Sequence, residues 1–125
     1  MKNILTILSF VILSVLTSCE KDRTIDMEQF LEVSFNQKGG SVTVQTKDKR
    51  YYDWWINNIY DSDSDTHYLV ASDRDHNKIL GNGITAEVTS PNSVVITVEP
   101  SKETHHWTIT MEAMDMFSYI AVKQE

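Results

Sequence analysis

An all-β sandwich is the fold this sequence predicts, on three observations. From Met27 onward the apolar residues come in short runs that alternate with polar ones at period two, not at the 3.6 spacing of a helix face. Those runs are rich in Val, Ile, Thr, Trp and Tyr, whose branched or flat side chains fit a pleated surface. Clusters of Gly, Pro, Asn and Ser, residues that accept turn geometry, punctuate them.

Taken in order, residues 30–35 (FLEVSF) put Leu31, Val33 and Phe35 on one face. Lys38-Gly39-Gly40 marks a turn and 41–46 (SVTVQT) alternates again, so a hairpin is expected. Residues 51–60 (YYDWWINNIY) read as an aromatic strand and 68–71 as a shorter apolar one. Gly81-Asn82-Gly83 is a turn, because glycine and asparagine tolerate positive φ, and 84–88 reads as a short edge strand before Ser90-Pro91-Asn92. Val94, Ile96 and Val98 share a face until Pro100, which cannot donate to a ladder, ends the run. Trp107, Ile109, Met111 and Ala113 share another, and Ile120 with Val122 closes the chain. Seven or eight short strands with no long helical segment predict an antiparallel sandwich of immunoglobulin-like type, a small barrel being the alternative.

The N-terminus has a different character. Lys2 precedes a thirteen-residue apolar run, 4–16, broken only by Thr6, Ser9 and Ser14. This is the charged, apolar and small-residue order of an export signal. As a helix the run would reach roughly 20 Å at ~1.5 Å per residue, short of the ~30 Å hydrocarbon core, so a permanent span is the poorer reading.

Leu16-Thr17-Ser18-Cys19 resembles the lipobox of bacterial lipoproteins. The resemblance implies cleavage between Ser18 and Cys19, a diacylglycerol on the Cys19 sulfur and acylation of the new amine. Several acyl chains anchor far more firmly than one. Cys19 is also the single cysteine of the chain, so the domain is expected to stand without disulfides. Three segments follow: 1–18 as signal, 19–26 as lipidated cysteine and charged tether, and 27–125 as the sandwich. Acidic residues after the cysteine, Glu20-Lys21-Asp22, resemble the surface-export signal of Bacteroidetes lipoproteins, which leaves cell-surface and periplasm-facing orientations on the outer membrane both open.

Processing would leave 107 residues and remove only the charge of Lys2, taking the formal net charge from −7 to −8. That surface opposes binding to a phosphate backbone, so no nucleic-acid partner is expected.

Further along, FNQKGGSVTVQT, the DWWI segment and the terminal VVITVEPSKETHHWTITMEAMDMFSYIAVKQE resemble the BACON domain of Bacteroidetes exported proteins. The matching features are Gly39-Gly40, Val42 and Val44, Trp54, and Val122-Lys123-Gln124, at the two ends of the chain and not in the segment 60–91. The resemblance implies an immunoglobulin-like sandwich and a role in carbohydrate or mucin binding.

Candidate sites are few. Asp61, Asp63 and Asp65 supply oxygens at positions 1, 3 and 5 of a calcium loop, but Thr66 and Ser72 stand where an EF-hand needs Gly and a carboxylate. A solvated acidic loop is the simpler reading, a weak calcium site the other. His105 and His106 are adjacent, so on a strand they point to opposite faces and cannot chelate one ion. Neither a Gly-x-Ser-x-Gly elbow nor a phosphate loop nor a free thiol nucleophile is present, and neither enzymatic activity nor a cofactor is expected.

On an extended strand Tyr52, Trp54, Ile56 and Asn58 share one face and Tyr51, Asp53, Trp55 and Asn57 the other. The first set is the more apolar, so Trp54 is expected in the core. Trp55 is then either covered by the segment 60–83 as satellite core, the simpler arrangement, or an open platform with Tyr51 and Asn57 beside it, on which a sugar ring could stack. The expected function is a lipid-anchored, non-catalytic binding module with a glycan ligand, or alternatively an accessory subunit packing that face on another envelope protein.

Overall fold

The computed structural model describes residues 23–69, 77–114 and 116–125. The signal segment, Cys19 and His76 lie outside the described residues. Ten strands are described: β1 (Arg23–Asp26), β2 (Phe30–Phe35), β3 (Gly40–Gln45), β4 (Trp55–Asp61), β5 (Thr66–Leu69), β6 (Lys78–Leu80), β7 (Ile84–Ser90), β8 (Ser93–Val98), β9 (His105–Ala113) and β10 (Met116–Gln124), with one 3-10 turn at Lys49–Tyr51. Among the described residues no helix is long and apolar enough to cross a membrane.

The strands form two five-stranded sheets, β1-β3-β8-β7-β6 and β2-β10-β9-β4-β5. In immunoglobulin nomenclature β1-β3-β8-β7 follows the A-B-E-D order and β10-β9-β4 the G-F-C order, which makes this an immunoglobulin-like sandwich. Alternation decides the core: Val42, Val44, Ile84, Ala86, Val94 and Ile96 from one sheet meet Val33, Ile56, Ile59, Trp107, Ile109 and Ile120 from the other, all buried. Each such aliphatic side chain removed from water contributes about 1.5–3 kcal/mol, and together they oppose the chain entropy.

Five expectations need correction. The described residues form ten strands, and the sandwich is not wholly antiparallel, because β1 pairs with β3 and β2 with β10 in parallel. The last four residues of the expected tether are a strand: Ile25 is the only apolar residue in β1, too little for a period, and the free edge of β3 supplies its partner. The hairpin across Gly39-Gly40 is an arch between sheets, since β2 pairs with β10 and β3 with β8. Alternation announces a buried face without saying which strand lies alongside. The 84–88 segment, expected at an edge, lies inside its sheet between β6 and β8.

The fifth correction concerns the aromatic run. Its first residues are not strand: the Asp48 carboxylate accepts the Arg50 N–H at 3.0 Å and caps the 3-10 turn, and Asp53 takes a left-handed φ of 57°. The strand starts at Trp55. Tyr51 turns into the core at 8% exposure, so it does not share a face with Trp55. Trp54, as expected, is core, at 2%.

Candidate functional site

The outer face of the β2-β10-β9-β4-β5 sheet carries the candidate site, and a bulge shapes it. Opposite β9, Ile56 pairs with Met111 and Asn58 with Thr110, so Asn57 is the extra residue. Plain alternation would bury Asn58 and Tyr60 with Ile56. The bulge instead buries Ile56 and Ile59 and turns Asn58 and Tyr60 to the outer face with Trp55.

The register then lines side chains up in rungs across the strands. The first rung reads Trp55, Glu112, Phe117. The second reads Leu69, Asn58, Thr110, Tyr119, Phe30, and the third His67, Tyr60, Thr108, Ala121, Glu32. Exposed apolar side chains are frequent: Phe30 is 69%, Leu69 68% and Phe117 45% exposed. Phe30 stacks on Tyr119 at 5.5 Å between centroids and 14°, and Tyr60 on His67 at 4.5 Å and 28°. Such offset stacks hold rings in place on an open surface.

Trp55 is half-buried and lies outside the described core cluster. Its indole N–H donates to Glu112 Oε2 at 3.1 Å, and the Asn57 amide donates to the same oxygen at 3.2 Å. Asn58 in turn donates to Asn57 Oδ1 at 2.7 Å. The result is an indole fixed by a carboxylate, with amides at its border. Of the three residues expected together, Trp55 and Asn57 meet here and Tyr51 does not. Glu112, the anchor of the group, comes from 57 positions along the chain and no local pattern announces it.

The three aspartates are brought near one another but put to separate uses. Asp61, buried, accepts the N–H groups of Asp63 and Ser64 at 3.0 and 3.3 Å, closing the β4–β5 turn. Asp63 accepts the backbone N–H of His106 at 2.8 Å and lies 3.1 Å from its Nδ1. The hydrogen bond from the His106 ring holds the Asp63 carboxyl below its ordinary value, with the backbone N–H adding to it. Asp65, at φ 53°, accepts the Tyr60 hydroxyl at 2.8 Å, and that bond pushes the Tyr60 phenol up. Among the described residues no group of three His, Cys, Asp or Glu side chains is placed to hold a metal ion.

His105 and His106 point to opposite sides of β9, as expected: His105 stacks on the buried Trp107 at 5.0 Å, while His106 faces Asp63. At the end of the sandwich Ser101 Oγ lies 3.0 Å from His105 Nε2, in a small cleft of about 250 Å³. That hydroxyl also accepts the Glu103 N–H at 3.1 Å, and no described carboxylate bonds the ring, so the pair serves to shape the loop.

No family model matches the chain, and no curated protein does. A solved structure described as "NMR structure of the protein from Bacteroides thetaiotaomicron" is similar in fold, with a TM-score of 0.60 over 75% of each chain at 16% sequence identity. At that identity the likeness bears on the fold: this chain shares its all-β architecture with a protein of a Bacteroidetes bacterium.

Proposed function

We propose that the chain is a lipid-anchored, non-catalytic binding module of the bacterial envelope, and that the outer face of the β2-β10-β9-β4-β5 sheet holds a glycan. The observation that carries this reading is Trp55, partly exposed on the outer face and locked by Glu112 and Asn57. A sugar presents an apolar CH face and a rim of hydroxyls. An indole answers the first, and a carboxylate with two amides answers the second. The lipobox-like Leu16-Thr17-Ser18-Cys19, the BACON-like ends of the chain and the Bacteroides neighbour agree with an outer-membrane lipoprotein of that phylum. The membrane contact would run through the lipid on Cys19.

A second reading, an accessory subunit packed on another envelope protein, draws on the exposure of Phe30, Phe117 and Leu69. A glycan array probed with the protein and with its Trp55→Ala variant separates the two. Binding that disappears in the variant supports the glycan face. Unchanged binding would clear Trp55 of the role, and no binding to any glycan moves the assignment to the protein partner.

A further inference from the structure

The first rung of the face narrows the ligand. Trp55 on β4, Glu112 on β9 and Phe117 on β10 lie side by side on three adjacent strands. Two interstrand spacings separate the rings, which places their stems ~10 Å apart. Glu112 stands between them, with one oxygen committed to Trp55 and Asn57. Among the described residues no group donates to its other oxygen, which leaves it as an acceptor.

Resting on the glycan reading above, we infer that this rung binds an extended, uncharged glycan of at least three units, lying across the strands. A hexose in an extended chain advances by about one strand spacing, so the first and third units reach Trp55 and Phe117 when the middle unit lies over Glu112. In a flat β-linked ribbon with two-fold alternation, units one and three present the same face, as two rings on one sheet surface require. The middle unit donates hydroxyls to the Glu112 carboxylate, a charge-assisted bond of the stronger kind. Charge opposes an anionic chain: Glu112 sits at the centre of the rung, Glu32 lies on the same face, and Lys123, three rungs along β10 from Phe117, is paired with Glu125 at 2.8 Å. The formal net charge of −7 acts in the same direction.

The test is calorimetric titration of the protein with neutral linear β-linked oligomers of glucose, mannose, xylose and N-acetylglucosamine, one to six units long, and with a uronic-acid oligomer of matched length. At least one neutral series should gain about tenfold or more in affinity between two and three units, and the uronate should bind less tightly. Phe117→Ala should remove that gain while leaving the melting temperature unchanged, because the ring is half-exposed. Phe117→Tyr should restore it. The inference is overturned, with the glycan reading intact, if every series that binds does so with no gain between two and three units, if Phe117→Ala keeps the gain, or if the uronate binds best. Failure of every oligomer and of the glycan array together would overturn the glycan reading itself.

Discussion

Trp55 and Glu112 face each other across the β4–β9 ladder, and the indole N–H meets the carboxylate at 3.1 Å. Both are outer-face residues, so the bond adds little to the core and much to the orientation of the ring. Glu112→Ala should therefore change folding stability by about 1 kcal/mol or less, measured by urea denaturation, while weakening glycan binding and loosening Trp55 toward a fluorescence quencher. A loss of several kcal/mol with unaltered quenching would make Glu112 a structural residue instead.

The two neighbouring tryptophans should respond oppositely to truncation. Trp54 is 2% exposed and closes the core, so Trp54→Ala should cost about 3–5 kcal/mol. Trp55→Ala should cost about 1 kcal/mol or less and act on binding. Chemical denaturation of both variants checks the contrast, and equal losses would put Trp55 in the core.

Gly39 and Gly83 both adopt left-handed φ, 70° and 80°, but in different surroundings. A Cβ on Gly39 would collide with the Val98 carbonyl oxygen and stand 2.8 Å from the Glu99 carbonyl carbon, whereas one on Gly83 would reach only Trp107 Cζ2 at 3.8 Å. Gly83→Ala should thus cost about 1–2 kcal/mol of backbone strain. Gly39→Ala should cost clearly more, since main chain at the arch between the sheets must move. Thermal melts give the order, and the reverse order would contradict it.

Asp63 lends a pH dependence to the fold. Its folded carboxyl is held below the ordinary 3.8 by the His106 ring and backbone N–H, so the unfolded chain takes up the proton first as pH falls. The contribution is complete above that ordinary value and lost as pH drops through the lower folded one. Asp63→Asn should flatten the acid limb of the melting curve between about pH 5 and 2. The effect will be small, because the pair is 46% and 43% exposed. A limb as steep as the parent's would count against it.

For Cys19, substitution by Ala should leave the precursor unlipidated. Labelled palmitate and membrane fractionation report this directly, and a variant that still takes up label and sediments with membranes would disprove the anchor.

Most of the fold could be read from alternation, because a half-buried strand must place every second side chain in the core. Leu31, Val33, Val42, Val44, Ile96, Trp107, Ile109 and Ile120 all point inward as their periods predict. What alternation cannot carry is partnership. It does not say that β2 crosses to the sheet opposite β3, or that β1, with one apolar residue, pairs at all.

The site divides along the same line. Trp55 beside Asn57 was visible as a run of aromatic and amide residues, whereas Tyr51 left that face because a capped 3-10 turn and the left-handed Asp53 reset the phase before the strand begins. By itself, then, the sequence determined the fold class, the inward set, Trp54 as core and Cys19 as the candidate anchor, all of which depend on local period or local motif. The tertiary structure decided that Asn57 bulges, that Tyr60 turns outward, and that Glu112 and Phe117 join Trp55 in one rung. Those depend on register between strands distant in the chain, where the contacts arise only once hydrogen-bonded ladders have set which residues lie opposite.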